Sequence, residues 1–206
     1  MTSENHPKSK ASEASMDRWR RLTRRRSWLF WTAIAVAAAI VLGFIGAHRA
    51  GGGSAADFSI ALYGTPSSGQ ADQVTVNDLL KKGQPVVLNF WAGLCPPCRQ
   101  EMPGIQRVYN DLGNRFTLLG VDVGPFMGLG SHSDARTFLK QEQITYPTGY
   151  ALTADAITEY HISAMPTTVF ILPNGHIFAE HTGFLAESAM RNSVLDLLAA
   201  SQASGS

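Results

Sequence analysis

Cysteine is nearly absent from this sequence, with two in 206 residues. Two thiols cannot staple a disulfide-rich miniprotein, nor fill a four-thiolate zinc site on one chain. Charge is sparse as well, at 16%, and the formal net charge is +1. That small value hides an asymmetry. Residues 1–27 carry eight Lys/Arg against three Asp/Glu, whereas residues 50–206 carry eight against thirteen. Beyond its N-terminus the chain has no electrostatic basis for binding nucleic acid. Internal repeats are missing, and long apolar runs are missing with one exception, Trp28–Ile45. A hydrophobic content of 45% excludes a wholly disordered chain.

The exception is informative. Residues 1–17 are polar, and Arg18, Arg20, Arg21, Arg24, Arg25 and Arg26 crowd against the start of the apolar run. As a helix, about 18 residues span roughly 27 Å, close to the thickness of a hydrocarbon core. Trp28 and Trp31 stand where indole rings prefer the interface. The expectation is a basic cytoplasmic tail (1–27), a transmembrane anchor (28–45), a flexible Gly-rich tether (46–56), a folded domain (57–200) and a polar tail (201–206). By the positive-inside rule the domain would lie outside the cytoplasm. A cleaved signal peptide and a twin-arginine signal beginning at Arg25-Arg26 compete with the anchor, and both lead to the same compartment.

Within the domain, Pro85–Trp91 is a continuous apolar, β-branched run, as expected of a central strand covered on both faces. Phe116–Val123 reads as a second buried strand. Met102–Leu112, Asp134–Gln143 and Ala154–Tyr160 read as helices. Thr167–Leu172, Pro173-Asn174-Gly175 and His176–Glu180 read as a hairpin with an Asn-Gly turn. Glu187–Ala200 reads as an amphipathic helix with Met190, Val194, Leu197 and Leu198 on one side. This order describes an α/β domain with a mixed sheet.

The chemistry concentrates at Trp91-Ala92-Gly93-Leu94-Cys95-Pro96-Pro97-Cys98-Arg99. A C-x-x-C between a buried strand and a helix is a redox arrangement. Two intervening residues bring both sulfurs to one helix face, close enough for a disulfide. Cys95 would stand at the N-cap, where unpaired N–H groups and the helix dipole favour a thiolate. Cys98 would resolve the mixed disulfide. An inert structural disulfide and half of a zinc site are the competing readings. The six histidines show no paired spacing that would complete the zinc site.

The stretch Trp91–Pro103 resembles that of the TlpA/ResA/CcmG-like membrane-anchored thioredoxins. Ser163-Ala164-Met165-Pro166-Thr167-Thr168 followed by Pro173-Asn174-Gly175 is similar to the family's cis-proline loop and the hairpin after it. The resemblance covers roughly residues 74–198 and implies a thioredoxin fold with Cys95 and Cys98 as the catalytic pair. It also implies a substrate surface including Met165, Pro166 and Trp91. A cis bond before Pro166 would set the Met165 backbone beside Cys95, free to pair with an extended substrate. No cofactor or metal is implied. The implied activity is protein-disulfide exchange, in the reducing direction, serving cytochrome c or copper-site maturation. Its partners would be protein thiols and disulfides, a membrane thiol reductase of the CcdA/DsbD type, and the lipid bilayer. A copper-binding assembly protein using the same two cysteines is the alternative from another class.

Three residues depart from the family pattern. Leu94 stands where Trp is common. Asn89 replaces the buried Asp of cytosolic thioredoxins and cannot titrate. Pro96 and Pro97 both lack an N–H, which leaves the Cys98 N–H as the principal donor to the Cys95 sulfur. Glu101 and Arg99 read as solvated helix charges or as part of the family stretch. Gly124–Gly130 lacks a following Lys-Ser/Thr and so is no phosphate cradle. It reads as a mobile loop, with a place on the rim of the site as the alternative.

Overall fold

The computed structural model describes residues 53–64 and 72–203. The expected basic tail and anchor lie outside the described residues. Among the described residues, no helix is long and apolar enough to cross a membrane.

Seven strands form one mixed sheet: β1 (Ser59–Leu62), β2 (Gln73–Thr75), β3 (Val86–Trp91), β4 (Thr117–Asp122), β5 (Thr148–Ala151), β6 (Thr167–Ile171) and β7 (Ile177–Thr182). Their spatial order is β2-β1-β5-β4-β3-β6-β7. The central strands β3, β4 and β5 run parallel, and the remaining pairings are antiparallel. Every residue of β3 is buried, as its unbroken apolar run requires. Alternation along it sends Val87 and Trp91 to one face of the sheet and Val86, Leu88 and Phe90 to the other.

Helices cover both faces. Helices α2 (Pro96–Leu112), α4 (His132–Gln141) and α6 (Glu187–Ala203) contribute to the cluster containing Trp91 and both cysteines. Helices α1 (Val76–Leu80) and α5 (Asp155–Glu159) contribute to the opposite cluster. In α6 the four expected residues, Met190, Val194, Leu197 and Leu198, are the buried ones. The β6–β7 hairpin turns as its sequence predicts, with Gly175 at φ +85° and the Asn174 side chain accepting from the His176 N–H.

Several elements depart from expectation. Helix α2 begins at Pro96 and continues through Pro103, which removes one ladder donor without ending the helix. Strands β1, β2 and β5 carried no legible signal, being three or four residues long. Gly149 in β5 is required by the pairing, since a Cβ there would stand 2.5 Å from the Ala61 carbonyl oxygen of β1. The end of the expected tether is ordered. The Ala55 N–H donates to the Gly175 carbonyl at 2.8 Å, and the Ile177 N–H donates to the Gly53 carbonyl at 2.9 Å. An open sheet edge offers unpaired backbone groups, and this segment takes them. The chain thus enters the domain at the Val86 end of β3, the pole opposite Cys95.

Candidate functional site

The site is built where β3 ends and α2 begins. Cys95 is the N-cap of α2, with Pro96 and Pro97 as its first two helical residues. Proline suits the first position because the N–H it lacks is unpaired there anyway. Cys95 and Cys98 are joined by a disulfide with their Cα atoms 5.3 Å apart. The Cys98 N–H approaches the Cys95 sulfur at 3.3 Å, and it is the donor that two successive prolines leave available. N-cap placement suggested an open first sulfur. In the oxidised protein Cys95 is only 2% exposed and Cys98 is fully buried. What faces solvent beside them is Leu94, 54% exposed, together with the exposed Pro96.

The turn leading into Cys95 is held from several sides. The Leu94 N–H donates to the Leu129 carbonyl at 2.9 Å. Arg99 donates through Nη1 to the Gly93 carbonyl at 3.0 Å and through Nη2 to Gln141 of α4 at 3.1 Å. Its guanidinium also lies 4.5 Å from the centre of the Phe138 ring. Gly93 packs directly on the first turn of α4, because a Cβ there would come within 2.5 Å of the Ala135 nitrogen. Arg99 is therefore a structural strut. The Gly124–Gly130 segment begins as one helical turn, α3 (Gly124–Met127), and its Leu129 carbonyl reaches the active-site turn. It forms part of the rim and is more than a connecting loop.

The peptide bond between Met165 and Pro166 is cis. Pro166 is buried, and its carbonyl accepts from the Gly183 N–H at 2.8 Å. Met165 is half-buried against the cluster that contains both cysteines. Trp91 is placed differently from expectation. It is fully buried at the end of β3, 5.7 Å from Phe138 between ring centres, and presents nothing to a substrate. Its strand position points the indole beneath α2 and α4.

Glu101 is the functional candidate that sequence reasoning missed. It is 2% exposed, lying on the buried stripe of α2 with Cys98, Met102 and Ile105. That i, i+3, i+4, i+7 spacing was the available signal. One carboxylate oxygen accepts from Asn89 Nδ2 at 2.8 Å and the other from the Leu185 N–H at 2.9 Å. Burial pushes its pKa up to about 7, against the opposing pull of those two hydrogen bonds. Asn89 also donates to Thr168 Oγ1 at 3.0 Å, while its own Oδ1 is buried without a partner. Asn89 cannot titrate, but the residue it holds can. A carboxyl group with this pKa, one helical turn beyond Cys98, is suited to exchange a proton near neutral pH.

The comparisons agree with this geometry. The family model described as AhpC/TSA family matches residues 52–179. The chain is 33% identical over 126 residues to thiol-disulfide oxidoreductase ResA of Oceanobacillus iheyensis, covering 61% of this chain and 62% of that one. It is 28% identical over 134 residues to the ResA of Bacillus subtilis, covering 65% and 70%. A Chlorobium tepidum structure described as thiol:disulfide interchange protein DsbE superposes with a TM-score of 0.58 at 27% identity, over 71% of this chain and 96% of that one. The thioredoxin domain of a thiol-disulfide oxidoreductase from Bacteroides vulgatus superposes with a TM-score of 0.60 at 22% identity, over 72% and 98%. The fold is the thioredoxin fold, with its mixed sheet between helices.

Proposed function

Because the chain belongs to the AhpC/TSA family of thioredoxin-like proteins, we propose that it is a protein thiol–disulfide oxidoreductase working through Cys95 and Cys98. The observation that carries this reading is the disulfide at the N-terminus of α2, with the Cys98 N–H directed at the Cys95 sulfur. In the reducing direction, the Cys95 thiolate attacks one sulfur of a substrate disulfide. A mixed disulfide forms and the other substrate sulfur leaves as a thiolate. The Cys98 thiol gives its proton to Glu101 and attacks the Cys95 sulfur. The Cys95–Cys98 disulfide closes and the second substrate thiolate departs. Two electrons pass from the protein to the substrate. An extended substrate segment pairs with the backbone at Met165, before the cis Pro166.

The finer reading has the domain tethered outside the cytoplasmic membrane by residues 28–45. It works there as a reductant of exported apo-cytochrome c or copper-site proteins, with a membrane thiol reductase of the CcdA/DsbD type returning it to the dithiol. The arginine cluster ahead of the apolar run and the similarity to the ResA proteins support this reading.

Two experiments test it. Cys98→Ser in the full chain should accumulate mixed disulfides through Cys95, and their identification names the substrates; a variant that captures nothing while the wild type reduces no disulfide ends the enzymatic reading. Alkaline carbonate extraction should leave the full-length chain with the membranes. A soluble fragment beginning near Ser54 would show the run to be a cleaved signal.

A further inference from the structure

A second buried carboxylate lies one strand away from the disulfide. Asp122, at the end of β4 and opposite Trp91 of β3, is 1% exposed. Its Oδ1 accepts from the Gly124 N–H at 2.8 Å. Its Oδ2 accepts from the Tyr63 hydroxyl at 2.5 Å and lies 3.2 Å from His132 Nδ1. His132 is the first helical residue of α4, after the Ser131 N-cap. Both ends of the Gly124–Ser131 segment are therefore tied to one carboxylate. His132 Nδ1 also lies 3.1 Å from the Tyr63 hydroxyl oxygen, and with the tyrosine donating to Oδ2 the imidazole must carry its proton on Nδ1 to bond either oxygen.

The same first turn of α4 is gripped from two directions. On one side His132 lies over Tyr150, 4.1 Å between ring centres, and Arg136 reaches over Tyr63. On the other side, Asp134 and Ala135 meet Gly93 with no space for a Cβ. Gly93 is two residues before Cys95. Between the two tied ends, the Leu129 carbonyl holds the Leu94 N–H. Each route from Asp122 ends on the turn that presents Cys95.

We propose that Asp122 is a positioning residue for the Cys95–Cys98 centre, acting through His132, Tyr63 and the first turn of α4 to hold the Gly93–Leu94 turn in place. The inference builds on the redox reading, and it is the tie between β4 and α4 that it adds. Loosening the tie frees Leu94 and Gly93. The Cys95 sulfur is then held less firmly against the Cys98 N–H, so its thiolate is less favoured. The opposite sign follows if Asp122 acts only as a charge, because removing a nearby anion favours a thiolate.

The experiment uses the reduced full chain and measures alkylation of Cys95 by iodoacetamide from pH 5 to 9. Thermal unfolding is measured in parallel. Asp122→Asn is expected to react about three- to ten-fold more slowly at pH 7, with the rise of the rate displaced to higher pH. His132→Ala, which also removes the ring lying over Tyr150, and Tyr63→Phe, which removes only the hydroxyl, both keep the carboxylate and are expected to react about two- to five-fold more slowly. Asp122→Asn combined with Tyr63→Phe should be no slower than Asp122→Asn alone, because both act on one hydrogen-bonded cluster and the phenyl ring stays in place. Should Asp122→Asn not fold, the His132 and Tyr63 variants decide the matter. Folded variants that alkylate at the wild-type rate or faster, or effects that multiply in the double variant, would overturn the proposal. Alkylation reads the sulfur whether or not the protein reduces disulfides. A wild type without reductase activity would therefore refute the function while leaving this assignment standing.

Discussion

The two buried faces of the sheet differ in kind. The face under α1 and α5 is a plain hydrocarbon layer, with Val86, Leu88, Phe90, Leu119, Val121, Val169 and Ile171 pointing into it. Its polar groups are satisfied by nearby backbone, the Tyr160 hydroxyl donating to the Ala56 carbonyl at 2.8 Å and the Thr167 hydroxyl to the Ala164 carbonyl at 2.9 Å. The face under α2, α4 and α6 is also well packed, yet it encloses both sulfurs and both buried carboxylates, Glu101 and Asp122. Burying a carboxylate is costly unless it is hydrogen-bonded, and each of these accepts at least two such bonds. One face therefore supplies stability and the other spends part of it on reactivity. Substitutions on the two faces should fail in different ways.

The largest expected effect is on the reactive face. Cys95→Ser should abolish disulfide reduction in an insulin-reduction assay while leaving the secondary structure intact by circular dichroism. On the plain face, Phe90→Ala should lower stability by roughly 3–5 kcal/mol in a denaturant titration. The fraction that remains folded should alkylate at Cys95 at the wild-type rate. A changed Cys95 reactivity in that fraction would break the division between the faces.

Glu101→Gln should give an intermediate effect with a pH signature. The carboxyl pKa is raised in the folded chain to about 7 from an ordinary 4.5. Between those values the folded protein keeps a proton that the unfolded chain has released. The stability associated with this group is complete below pH 4.5 and is lost as pH rises through 7. The loss amounts to about 3 kcal/mol at most, since each pKa unit is ~1.4 kcal/mol. Glu101→Gln should flatten the stability profile over that window and slow resolution of the mixed disulfide by Cys98. Urea unfolding at pH 5 and pH 8, together with stopped-flow exchange, measures both. A variant as pH-sensitive as the wild type would remove Glu101 from the account.

The smallest effect is expected at Pro97. Pro97→Ala restores a backbone donor to the second position of α2, within reach of the Cys95 sulfur. One added hydrogen bond worth about 1 kcal/mol net stabilises the thiolate, and so the reduced form. The couple should become more oxidising by roughly 20 mV, read by glutathione equilibration. Greater freedom of the reduced helix start opposes this. An unchanged or more reducing potential would show that the missing donor does not tune the site.

What the sequence by itself determined is whatever depends on short-range pattern. The unbroken run Val86–Trp91, the C-x-x-C with proline at the helix start, and Pro173-Asn174-Gly175 each specify a local conformation, because φ restriction, missing donors and side-chain period act over a few residues. What only the tertiary structure decided depends on which surfaces meet. Glu101 looks like an exposed helix charge until α2 packs with its Cys98 stripe inward and Leu185 donates to it. Trp91 looks like a substrate contact until α4 lies over it. Strands β1 and β5, too short for their own pattern to show, exist through pairing that a Cβ at Gly149 would block. Asp122, Tyr63 and His132 are separated by 59 and 10 residues and converge only when β4, the end of β1 and α4 assemble. Burial and long-range contact set their chemistry, and neither is a property of a neighbouring stretch of chain.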